Sequence, residues 1–81
     1  MNLYVGNMSR EVINEDLQDL FGAFGQVDSI KIITDKYTGD PRGFGFIEMP
    51  NQEEAKTAIA ECNGKEVKGR ALKVNEARPR Y

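Results

Sequence analysis

The 81 residues contain no histidine and only one cysteine, and no apolar run comes near the length of a membrane span. The missing histidine removes the commonest general base and metal ligand, so catalysis would have to rest on carboxylates or lysine. A lone cysteine, Cys62, can neither close an internal disulfide nor build a metal cluster, and it fits a reducing compartment. No spanning segment and no signal-peptide core follow Met1, which points away from membranes and toward a cytoplasmic protein. There is no phosphate-cradling glycine loop and no cluster of catalytic groups, so neither an enzyme nor a cofactor is expected. Linkers, repeats and low-complexity stretches are also missing. The chain is read as one domain over 1–81, near the lower size for folding unaided.

Charge is present but unevenly spread. The formal net charge is −2. The two segments with helical patterning, 14–24 and 51–62, hold six acids (Glu15, Asp16, Asp19, Glu53, Glu54, Glu61) and only Lys56, net −5. The remainder carries ten bases and seven acids, net +3. Local sign therefore matters more than the total, and the non-helical part can meet an anion.

Residues 2–6 alternate, with Leu3 and Val5 on one face and Asn2 and Tyr4 on the other, as in a short strand. Asn14 is a suitable N-cap for a helix in which Leu17, Leu20, Phe21 and Phe24 form one apolar stripe, ended by Gly25. The β-branched run 27–34 reads as a second strand, followed by a turn-rich loop at 35–41. A third strand runs from Arg42 to Met49. Asn51 and Glu54 form a capping-box start for a helix striped by Ala55, Ala58, Ile59 and Cys62, which stops at Asn63 and Gly64. After the short segment KEVKG, residues 70–77 form a last strand with Leu72 and Val74 inward and Lys73 and Asn75 outward. The order is βαββαβ. Two amphipathic helices must bury their stripes on one face of a four-stranded antiparallel sheet, while the other face stays open. Right-handed crossovers give the strand order 4-1-3-2, an α+β ferredoxin-like sandwich.

The third strand, RGFGFIEM, then poses a choice of faces. Phe44, Phe46 and Glu48 share one side; Gly43, Gly45, Ile47 and Met49 share the other. The helical stripes need the apolar face made by Leu3, Val5, Ile30, Ile32, Ile47, Met49, Leu72 and Val74. Phe44 and Phe46 must therefore project from the opposite side with Tyr4, while Gly43 and Gly45 allow close packing beneath the helices. Exposed rings beside Arg42, Lys31, Lys73, Asn75 and Asn2 suit unpaired nucleobases. Rings stack on bases, cations neutralise phosphates and amides reach base edges.

The segment Arg42 to Met49 resembles the RNP1 signature of the RNA recognition motif, K/R-G-F/Y-G/A-F-V-x-F/Y, with Ile47 at the Val position and Met49 at an inward-facing aromatic position. LYVGNM, Leu3 to Met8, resembles the companion RNP2 segment. The resemblance extends over essentially the whole chain and is similar to small stand-alone bacterial members. It implies that Tyr4 and Phe44 each stack on a base, that Phe46 packs against ribose, and that Arg42 pairs with a phosphate. Lys73, Asn75 and Arg78 would hold a neighbouring nucleotide, with 77–81 a flexible tail. The implied partner is single-stranded RNA, with single-stranded DNA admitted by the same chemistry, bound by a monomer. Two other classes share the topology: modules that grip peptides, and small enzymes such as acylphosphatases. The three intact aromatic positions favour RNA over the first, and the missing phosphate-cradling loop and catalytic cluster speak against the second.

Overall fold

A computed structural model describes residues 1–77. The chain forms β1 (Asn2–Gly6), α1 (Asn14–Gly22), β2 (Ser29–Thr34), β3 (Pro41–Glu48), α2 (Gln52–Cys62), β4 (Glu66–Val67), β5 (Arg70–Ala71) and β6 (Lys73–Ala77). The main sheet has the order β2-β3-β1-β6, all antiparallel, which is the expected 4-1-3-2 order read from the opposite edge with β6 as the fourth strand. The core is a single cluster. Leu3, Val5, Ile47, Met49, Leu72 and Val74 from the sheet side meet Leu17 and Phe21 of α1 and Ala55, Ala58 and Cys62 of α2. Leu20, Phe24, Ile30, Ile32 and Ile59, all expected in the core, are only partly buried at its margin. Met8 and Val12, from the β1–α1 connection, join the buried set without having shown a periodic signal.

Several boundaries differ from the sequence reading, each for a local reason. Helix α1 is capped by Ile13 rather than Asn14. Isoleucine has no acceptor, so the cap consists of its own N–H donating to the Asp16 carboxylate at 2.9 Å. This bond, helped by Lys68 at 3.3 Å, holds the Asp16 carboxyl below its usual range. The helix ends at Gly22, before Gly25. Gly25 instead lies against Glu54 of α2, where any Cβ would run into the carboxylate side chain. The Gln26 N–H donates to that carboxylate at 3.2 Å, joining the end of α1 to the start of α2. Asn51 caps α2 as expected, accepting from the Glu54 N–H at 3.0 Å.

The last strand expected over 70–77 is divided. Arg70–Ala71 pairs with Glu66–Val67 in a separate hairpin, whose two-residue loop, Lys68 and Gly69, has φ of 50° and 89°. Two consecutive positive φ values give a type I′ turn, which matches the twist of a tight hairpin. Leu72, buried at the junction, donates its N–H to the Lys65 carbonyl at 2.9 Å before the chain enters β6.

The glycines of β3 do not serve to admit the helices. Gly45 lies against the neighbouring strand: a Cβ there would sit 2.6 Å from the Lys31 carbonyl oxygen and 3.1 Å from the Ile32 Cα. Gly43 has φ of 86°, a left-handed conformation that suits glycine. It falls where the β2–β3 register shifts between Ile32 and Thr34. That irregularity ends the regular part of the sheet beside Phe44.

Candidate nucleic-acid interface

Burial alternates along β1 and β3 as the faces require. Leu3, Val5, Gly45, Ile47 and Met49 are buried, while Asn2, Phe46 and Glu48 are exposed and Tyr4 and Phe44 half-buried. The strand register converts this alternation into rows across the open face. Lys31 lies opposite Phe46, Phe46 opposite Tyr4, and Tyr4 opposite Asn75, so the four strands contribute one residue each to a single line. The next row toward the start of β1 is Ser29, Glu48, Asn2 and Ala77. On the other side, Lys73 lies opposite Gly6.

The three rings form a closed triangle of contacts. Their centroids are 6.2 Å apart for Tyr4–Phe44, 6.0 Å for Tyr4–Phe46 and 6.3 Å for Phe44–Phe46, with interplanar angles of 31°, 60° and 86°. These are tilted and edge-to-face arrangements, in which each ring braces the other two. Tyr4 leans along its own strand over Gly6: a Cβ on Gly6 would lie 2.8 Å from the ring carbons Cε1 and Cζ. Gly6 is buried for that reason, although it belongs to the open face. Phe46 keeps 39% of its surface exposed, the largest value among the three rings. A groove of about 300 Å³ begins at its edge, lined among others by Asn2, Ser29, Lys31, Glu48 and Ala77.

Arg42 is set apart from this platform. It is exposed at the far side of the β3 irregularity and shares a second depression, about 440 Å³, with Arg10, Arg70, Asp35 and Asp40. The Asp35 carboxylate accepts from the N–H groups of Tyr37 and Thr38, and those bonds lower its pKa, with the nearby Arg42 charge adding to the effect. Asn7, with φ of 56°, ties this corner together. Its amide donates to the Ala71 carbonyl at 2.7 Å, and its side-chain oxygen accepts from Arg70 at 2.6 Å. Arg10 and Arg70 carried no sequence signal, because the β1–α1 loop and the β4–β5 hairpin meet only in the folded chain. Ser29 could have been found from strand alternation, since it shares the face of Lys31.

Of the expected contact residues, Tyr4, Phe46, Lys31 and Asn75 thus share one row, Asn2 lies in the next row, and Phe44 and Lys73 lie toward the other side. Arg42 is at the corner, and Arg78 lies outside the described residues, as does most of the expected 77–81 tail. Cys62 is buried and its thiol pKa is pushed up by burial, as suits a core side chain.

A family model described as RNA recognition motif matches residues 3–73. The chain belongs to that family. RbpA of Nostoc sp. (strain PCC 7120), whose name proposes RNA binding, is 48% identical over 80 residues, covering 99% of this chain and 78% of its own length. The crystal structure of RNA Binding Protein PG1 superposes with a TM-score of 0.94 at 47% identity, covering 100% of this chain and 98% of that one. The Rna15 RRM solved with bound RNA (GU) superposes at 0.85 with 28% identity, covering 96% of this chain and 83% of that one. The RNA recognition motif accounts for the element order, the sheet order and the open aromatic face together.

Proposed function

We propose that this protein binds single-stranded RNA on the open face of its sheet, acting as a binding module rather than an enzyme. The observation that carries the reading is the triangle of Tyr4, Phe44 and Phe46, in mutual contact on a sheet face that no helix covers among the described residues. Bases stack on these rings, and an exposed ring is worth about 1–3 kcal/mol per stacked base. The exposure of Phe46 and the groove beside it suit a base there as well as a ribose. Lys31 and Lys73 flank the rings on the outer strands and neutralise phosphates, Asn2 and Asn75 reach base edges, and Arg42 takes a phosphate at the corner. Family membership and the RNA-bound Rna15 neighbour support the same reading. The reading extends to a monomer in the cytoplasm, a reducing compartment in which a free thiol such as Cys62 persists. Single-stranded DNA offers the same base faces and binds in the same way without contacts to the 2′-hydroxyl.

The test is a titration of the protein against a labelled single-stranded RNA and against the same strand in a duplex. A duplex hides the base faces inside its stack, so it is expected to bind far more weakly. With about three phosphates engaged, the logarithm of affinity should fall against the logarithm of salt with a slope of about −2. Equal affinity for duplex and single strand would exclude stacking as the mechanism.

A further inference from the structure

One carboxylate stands on the proposed RNA-binding face. Among the described residues that β1, β2, β3 and β6 present there, Glu48 alone is acidic. It follows Phe46 by two positions, on the same side of the same strand, at the groove of about 300 Å³ that begins beside that ring. An acid in this place is unexpected for a surface meeting a polyanion, because it repels phosphates. Glu48 is exposed and makes no side-chain hydrogen bond or ion pair among the described residues, although Lys31 lines the same groove. No hydrogen bond or ion pair of the fold occupies this carboxylate among the described residues.

The residues around it complete a pattern. Ser29 lies directly opposite Glu48 on β2, and Asn2 directly opposite on β1. A carboxylate flanked on both sides by neutral donors makes a row of donor, double acceptor, donor across three strands. Only one RNA base matches that row with its free Watson–Crick edge. Guanine presents N1–H and the N2 amino group as two parallel donors, followed by the O6 acceptor. Adenine turns its N1 lone pair toward a carboxylate and cytosine its N3 lone pair. Uracil has one donor between two carbonyl oxygens. Carboxylates accept paired N–H groups well, with each charged hydrogen bond stronger than a neutral one.

We propose that Glu48 selects guanine at the nucleotide stacked on Phe46, its carboxylate accepting from N1–H and the N2 amino group while Ser29 or Asn2 donates to O6. The groove is of a size at the lower end of pockets that take small ligands, which suits a base edge rather than a second stacked nucleotide. Repulsion of phosphate by the same carboxylate fixes the direction of the nucleotide, with its base inward over Glu48 and its phosphate toward Lys31. The assignment rests on the RNA-binding reading given above.

The experiment uses the full chain and short oligouridines with one central position varied among guanine, inosine, adenine and cytosine. Inosine keeps N1–H and O6 and lacks only the amino group. Guanine is expected to bind tighter than inosine by about tenfold, one charged hydrogen bond, and tighter than adenine or cytosine by more. In Glu48→Gln the preference should collapse, because the amide has one acceptor and turns a donor toward a donor, while melting stays unchanged. Equal affinity for all four bases in the parent protein would overturn the proposal. So would a Glu48→Gln protein that binds every base tighter by the same factor, which would reduce Glu48 to a repulsive charge. Tyr4→Ala separates the two levels. A flat base series that still depends on Tyr4 removes guanine selection alone, whereas binding that ignores Tyr4 removes the stacking surface with it.

Discussion

Replacing Gly6 by alanine should impair RNA binding while leaving the fold intact. A Cβ at this position would lie 2.5 Å from the Tyr4 hydroxyl oxygen and 2.8 Å from two ring carbons, well inside contact distance. Gly6 does not have a positive φ, so alanine meets no backbone strain. The obstacle is the end of a side chain, which can swing away about χ1. The new methyl therefore displaces the ring, and core packing below the sheet is untouched. Tyr4 would leave its positions 6.2 Å from Phe44 and 6.0 Å from Phe46, and the platform would lose one of its three stacking surfaces. The upper bound on the loss is one stacked base, about 1–3 kcal/mol, or roughly five- to 150-fold in affinity. Fluorescence anisotropy with a labelled single strand would measure it, with thermal melting on the same samples. Binding equal to the parent would show that the ring's position over Gly6 has no part in recognition. A collapse of melting would show that Tyr4 supports the fold.

Gly45→Ala should do the opposite. Its Cβ meets the Lys31 backbone carbonyl oxygen at 2.6 Å, and backbone cannot swing aside, so the β2–β3 pair must part. A loss of about 1–3 kcal/mol in denaturant unfolding is expected, as for other overpacked sites. Leu17→Ala empties a fully buried position between helix and sheet and should lower stability by about 2–5 kcal/mol, read from the denaturation midpoint. Any folded fraction should bind RNA normally. Asp16 has a folded pKa below its ordinary 3.8, so its contribution is complete above that value and fades as pH falls through the lower folded pKa. Melting followed across that acidic range should therefore drop less in Asp16→Ala than in the parent, from a lower starting point.

Much of this arrangement could be read from the chain because two independent periodicities had to agree. The stripes of Leu17 and Phe21, and of Ala55, Ala58 and Cys62, needed an apolar sheet face, and only one phase of RGFGFIEM supplied it. That phase turns Phe44 and Phe46 outward. The features without a sequence signal depend on contacts between distant segments or on backbone conformation. Alternation alone makes Gly43 a space for helices, yet its φ of 86° belongs to an irregular strand pairing. Lys68 and Gly69 form a hairpin that a single continuous strand over 70–77 concealed. Ile13 caps α1 only because Asp16 accepts from its backbone, so the residue best suited to the cap, Asn14, became the first helical residue instead. Arg10 and Arg70 join Arg42 around one depression, with Asn7 accepting from Arg70, a meeting of loops for which no local pattern exists.

The most direct test is the RNA affinity of a Tyr4→Ala, Phe46→Ala double variant, measured beside its thermal melting. Both rings stand on the uncovered face, so their removal leaves Leu3, Val5, Ile47 and Val74 packed as before. Loss of two stacking surfaces should weaken single-strand binding by at least about 2 kcal/mol, some thirtyfold, with little change in melting. Affinity within a factor of about two of the parent, in a protein that melts like the parent, would contradict the claim that this face holds RNA through its rings.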